Sequence, residues 1–143
     1  YRIDQIAHFG QALVKAGVPV IQPIGGHAVF IDGRRFFASV PEDQFPAQLL
    51  CVEMYREGAV RSVECGANLA GRNPDTGENI RPALDLARLA IPRRVYNDEH
   101  LDYVVDVVRS IKQDQGNRRT GLEIVSESPG IRHFTTTFRY VDN

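Results

Sequence analysis

One arginine sits where a lone cation is expensive. Arg88 interrupts the alternating run Leu86-Ala87-Arg88-Leu89-Ala90-Ile91-Pro92. A period of two reads as a half-buried strand, with Arg88 on the same face as Leu86 and Ala90. A guanidinium cannot be neutralised by shifting its pKa, so burying it calls for a carboxylate or phosphate partner. The nearest acid in the run, Asp85, alternates onto the opposite face. The expected partner is therefore an external anion, and Arg88 marks a site for a carboxylate-bearing ligand.

Other residues capable of chemistry have bland alternatives. Arg132-His133-Phe134 sets a cation, a titratable ring and an aromatic side by side before a strand; these could line a pocket mouth or form a solvated turn. Gly25-Gly26-His27 lacks the spacing that places several N–H groups around one phosphate, so a tight turn is expected there. His27 then either sits at a strand edge or faces a ligand. Glu64, in an apolar stretch near Arg61 and Arg72, is expected in an ordinary ion pair, and Arg93-Arg94 is expected to cap the sheet or pair with surface acids. Histidines 8, 27, 100 and 133 show no metal-ligand spacing. Neither Cys51 nor Cys65 has a recognisable nucleophile context, and there is no G-x-S-x-G elbow.

The elements that must hold these residues are legible from periodicity. Ile3, Ile6, Phe9, Leu13 and Val14 make the stripe of an amphipathic helix over 3–16 that Gly17 closes. Val18 to Ile21 is extended, and His27 to Asp32 is a strand ended by a Gly33 turn. Phe45-Pro46 opens a second helix, ended by Gly58. Ala59 to Cys65 is extended, with Val60, Ser62 and Glu64 on one face; residues 71–82 are a surface loop rich in turn formers. Asn97 is a candidate N-cap for a third helix, buried through Leu101, Val104, Val105, Val108 and Ile111. Gly121–Val125 and Phe134–Tyr140 read as two more strands. The expectation is one α+β unit, a small sheet covered by about three helices.

Composition bounds the function. The 143 residues suit a single domain, and 43% apolar with 24% charged residues is ordinary globular chemistry. A net charge of −1 with dispersed arginines offers no field for nucleic acid. No apolar run approaches the roughly 18 residues that span a bilayer, and two cysteines form no disulfide framework. A soluble, cytoplasmic protein is expected, binding neither nucleic acid nor membrane. The opening Tyr1-Arg2-Ile3-Asp4 lacks an initiator Met, so the chain is expected to be cut from something longer.

Four stretches in order, Gly25-Gly26-His27-Ala28-Val29-Phe30, Asp43-Gln44-Phe45-Pro46-Ala47-Gln48, Arg88-Leu89-Ala90-Ile91-Pro92-Arg93 and Arg132-His133-Phe134-Thr135, carry a resemblance. They are similar to the C-terminal part of the β-eliminating lyases, the family of tryptophanase and tyrosine phenol-lyase. The resemblance implies the small domain of an aspartate-aminotransferase-type (fold type I) enzyme that uses pyridoxal 5'-phosphate. It further implies a homotetramer, activated by potassium or a similar monovalent cation, that cleaves an aromatic amino acid to pyruvate, ammonia and indole or phenol. The cofactor-binding large domain would be the remainder of the polypeptide. Neither Lys15 nor Lys112 matches the cofactor-attachment motif, so this chain alone would be inactive.

Within the resemblance, Arg88 matches the arginine that binds the substrate α-carboxylate, and Val63, Cys65, His133 and Phe134 match side-chain pocket positions. His133 would polarise the leaving ring, and His27 would support proton transfer. Val63 and His133 follow the tryptophanase pattern, whereas phenol-lyases have methionine at the first and a phenylalanine pair at the second. Cys65 departs from both patterns, which have arginine (phenol-lyases) or an aliphatic residue (tryptophanases). Pro92-Arg93-Arg94-Val95-Tyr96 and Val18-Pro19-Val20 look more like phenol-lyase. L-Tryptophan is thus the expected substrate, with L-tyrosine, or a non-catalytic domain that captures small carboxylates, as the alternatives.

Overall fold

The computed structural model describes residues 2–22, 28–80, 82–90, 98–127 and 135–141. Helix α1 (Arg2–Lys15) buries Ile6, Phe9 and Leu13, the i, i+3, i+7 spacing of one helical face. It ends in a paired C-terminal cap: Gly17, at φ 83°, donates to the Val14 carbonyl, and Val18 donates to Leu13. Val14 itself is 39% exposed, so the expected stripe is one residue too wide.

Three strands follow in the spatial order β1-β3-β2, all antiparallel: β1 (Ala28–Asp32), β2 (Val63–Cys65) and β3 (Leu86–Ala90). Gly33 does not make the expected turn. It opens a short helix α2 (Gly33–Phe36), because the Asp32 carboxylate accepts the Arg35 N–H and caps it. Gly33 must be glycine because an added Cβ would lie 2.5 Å from the Ala47 Cα.

Helix α3 (Pro46–Gly58) starts with proline in its first turn, as expected. Its end differs from expectation. Gly58 is still helical, and Ala59, at φ 55°, takes the left-handed cap position. Gly58 is needed for packing instead, since a Cβ there would meet Val107 at 2.5 Å. A short α4 (Ala67–Ala70), the long α5 (Asp98–Gln115) and the hairpin β4 (Leu122–Ser126) with β5 (Thr137–Tyr140) complete the described chain. This hairpin is a second, separate sheet. It is held to α3 by Phe138 edge-on to Phe45 (5.3 Å) and by the Tyr140 hydroxyl donating to Glu53 (3.0 Å).

The core is one cluster. Ile6, Phe9 and Leu13 of α1, Leu49, Leu50 and Met54 of α3, and Leu101, Val108 and Ile111 of α5 pack with Val29, Ile31, Ala87 and Leu89 of the sheet. Each fully buried side chain of this size contributes about 1.5–3 kcal/mol relative to exposure. The three long helices thus lie on one sheet face, as the α+β expectation requires. No helix among the described residues is long and apolar enough to cross a membrane.

Candidate functional site

The other sheet face carries the candidate site. In β3, Ala87 and Leu89 are buried while Leu86 and Arg88 are half-buried; in β2, Glu64 is buried while Val63 is exposed and Cys65 half-buried. Cα pairing puts Arg88 in one row with Phe30 and Val63, and puts Cys65 beside Leu86. Paired residues point to the same face, so the central strand presents Arg88 flanked by Phe30 and Val63, with Cys65 one step along. Sequence alternation placed Arg88 correctly on the face away from Asp85. The difference is in depth: Arg88 is half-buried, because the long helices cover only the opposite face.

Among the described residues, no carboxylate lies within ion-pair distance of Arg88. The Arg88 charge reaches the Cys65 thiol on the same face. Partial burial raises the pKa of that thiol, and the Arg88 charge works against the rise. Cys65 is therefore a neutral, weakly polar surface beside a cation. Cys51 is buried on the core side, and its burial pushes the thiol up to about 12, so it is inert as a nucleophile.

The face is braced from behind by two buried carboxylates. Asp85, one residue before β3, accepts the N–H of Ala47 on Oδ2 (3.1 Å) and that of Ala67 on Oδ1 (3.0 Å). Glu64 accepts from Gly66 (2.6 Å) and Leu69 (3.3 Å) on Oε1 and from Asn68 (2.7 Å) on Oε2. The expected ion pair of Glu64 is thus replaced by amides at the start of α4. Arg72 pairs with Glu127 at 2.7 Å, and Arg61 lies 5.9 Å from the Tyr55 ring. Burial raises the Glu64 pKa, the amides of Asn68 and Gly66 oppose the rise, and Asp85 reinforces it.

Sequence reading missed Asp85. A signal existed: neither helix brings a side-chain cap of its own, since Phe45 precedes α3 and Gly66 precedes α4. Their first N–H groups therefore need an acceptor from elsewhere. His27, His133, Phe134, Gly25-Gly26, Arg93-Arg94 and Asn97 lie outside the described residues.

The described residues do not fit a pyridoxal phosphate site. Lys112 donates to the Phe36 carbonyl at 3.1 Å and lies 5.0 Å from the Phe36 ring, while Lys15 is exposed at the end of α1. No group of His, Cys, Asp and Glu among the described residues is arranged to hold a metal ion.

Over 138 residues the chain is 49% identical to the tyrosine phenol-lyase of Symbiobacterium sp. (strain SC-1), covering 96% of the chain and 30% of that relative. It is 42% identical over 137 residues to the tyrosine phenol-lyase of Nostoc punctiforme, covering 96% of the chain and 29% of the relative. It is 45% identical over 138 residues to the tryptophanase of Hyphomonas neptunium, again covering 96% and 30%. The chain therefore spans about 30% of the length of these curated relatives. The family model for beta-eliminating lyases matches residues 1–107, which include Val63, Cys65 and Arg88. By this match, and by its likeness to relatives along nearly its whole length, the chain belongs to the beta-eliminating lyase family.

Proposed function

We propose that the chain is the small domain of a longer lyase that β-eliminates an aromatic amino acid, and that Arg88 grips the substrate α-carboxylate. The observation that carries this reading is a half-buried guanidinium with no acid partner among the described residues, on a sheet face shared with Val63 and Cys65. A bidentate arginine–carboxylate contact fixes orientation as well as affinity. Fixing the amino-acid end also sets the direction of the Cα–H bond, a positioning effect worth several kcal/mol in general.

The family's cofactor, pyridoxal phosphate, would be held by the remainder of the polypeptide, which supplies the electron sink. This chain would contribute the clamp and the wall of the side-chain pocket. His133, Phe134 and His27 belong to the proposal through the family resemblance alone, with His133 near the leaving ring. A homotetramer, a monovalent cation and closure of the two domains over the substrate come with the same reading.

L-Tyrosine, yielding phenol, pyruvate and ammonia, is the substrate this reading places first. Most of the relatives compared carry the name tyrosine phenol-lyase, the Symbiobacterium protein at 49% identity among them. That weighs against the L-tryptophan expected from the pocket positions. The indole-lyase reading keeps one specific support: Val63 and Cys65 place no second cation beside Arg88, where phenol-lyases have arginine.

The test is product release by the complete protein loaded with pyridoxal phosphate. Phenol with pyruvate from L-tyrosine supports the first reading, and indole with pyruvate from L-tryptophan supports the second. Release of neither, together with tight binding of an amino acid, would instead favour a domain that captures small carboxylates without chemistry.

A further inference from the structure

We propose that Asp85 and Glu64 are positioning residues for the two halves of the site, Asp85 for the carboxylate grip of Arg88 and Glu64 for the side-chain wall at Val63 and Cys65. The inference rests on the function proposed above and adds to it which residues set the geometry of each half.

Both carboxyls are buried, 1% and 2% exposed, and neither meets a cation among the described residues. Backbone amides are their partners instead. Asp85 joins three elements to the start of β3: its side chain takes the Ala47 N–H of α3 and the Ala67 N–H of α4, and its carbonyl takes the Gly33 N–H at the β1–α2 junction (2.9 Å). Arg88 follows in the same strand, so any shift of Asp85 moves the clamp. Glu64 lies between Val63 and Cys65, and its amide partners Gly66, Asn68 and Leu69 fix the turn that leaves Cys65. The two locks touch at Gly66, where an added Cβ would lie 1.9 Å from Asp85 Oδ1.

The donor pattern calls for two accepting oxygens on each side chain. In each side chain both oxygens receive N–H donors, and a carboxamide offers only one oxygen. Asp85→Asn must turn its NH2 toward either Ala47 or Ala67. Glu64→Gln must turn its NH2 toward Asn68 or toward Gly66 and Leu69. Size and shape are retained, but a buried donor is left facing a donor, so the local backbone yields. Asp85 then disturbs the strand that carries Arg88, and Glu64 disturbs the strand that carries Val63 and Cys65.

The experiment is inhibition of the complete, cofactor-loaded protein by probes for each half. L-Alanine has the carboxylate without an aromatic ring; phenol and indole have the ring without the carboxylate. For Asp85→Asn, the inhibition constant for L-alanine should rise about tenfold while those for phenol and indole stay within about twofold. For Glu64→Gln the pattern should reverse. Parallel weakening of all probes, or a fall in Tm with unchanged inhibition constants, would overturn the assignment and leave a purely structural role. If the amide variants do not accumulate as folded protein, Asp85→Ser and Glu64→Ser carry the same expectations, because each is smaller and leaves a single oxygen for the donors. If no probe inhibits the unsubstituted protein, the proposed function itself falls, and this inference with it.

Discussion

Asp85 and Arg88 belong to one extended stretch and face opposite sides of the sheet, and their charges meet different partners. The Asp85 carboxylate is engaged by the Ala47 and Ala67 amides, whereas the Arg88 guanidinium meets no acid among the described residues. The strand thereby keeps a buried anion from neutralising a nearby cation. Backbone N–H groups at helix starts satisfy the anion, and the cation is left for a ligand.

Cys65 controls discrimination between rings if its face is the pocket wall. Cys65→Arg would add a charged donor beside Val63 and Arg88 and should shift the ratio of kcat/KM for L-tyrosine over L-tryptophan upward by roughly tenfold. The two activities, measured as phenol and indole release, check this. An unchanged ratio would remove Cys65 from the wall.

Ala59 takes a left-handed conformation at the end of α3, with φ 55°, and its side chain is exposed. Glycine takes that conformation without steric penalty and loses no burial there. Ala59→Gly is therefore expected to stabilise the fold by about 1 kcal/mol, a rise of a few degrees in Tm. A thermal melt showing a lower Tm would mean that the cap is not strained.

Glu64 gives a pH signature. Burial raises its pKa in the folded chain, so the folded state binds its proton at a higher pH than the unfolded state does. Its contribution to stability is full below the ordinary glutamate value and is lost as pH rises through the raised value. Glu64→Gln removes that titration. The stability of the unsubstituted protein minus that of the variant should then shrink as pH rises from the ordinary glutamate range upward. Denaturant unfolding across that range checks it, and a gap that widens with pH contradicts it.

Strongly periodic elements were legible from sequence: the α1 stripe, the proline-led start of α3, the α5 stripe and the alternation around Arg88. What escaped depends on contacts distant in the chain. Glu64 near Arg61 and Arg72 suggested an ion pair, but Arg72 reaches Glu127 instead, and the turn after Cys65 brings Gly66, Asn68 and Leu69 amides to Glu64. Gly58 suggested a helix cap, but the tight approach of Val107 accounts for it and leaves the cap to Ala59. Asp85 stood in plain view before an apolar strand. Its role follows only once the uncapped starts of α3 and α4 are seen to converge on it.

Arg88 gives the most direct test. In the complete, cofactor-loaded protein, Arg88→Ala should raise KM for the aromatic amino acid about 10- to 100-fold, the loss of a charged bidentate contact, and should lower kcat while the cofactor's absorbance is retained. Arg88→Lys should fall between the two, because an ammonium cannot form the planar fork. Steady-state kinetics indistinguishable from those of the unsubstituted protein would contradict the carboxylate clamp.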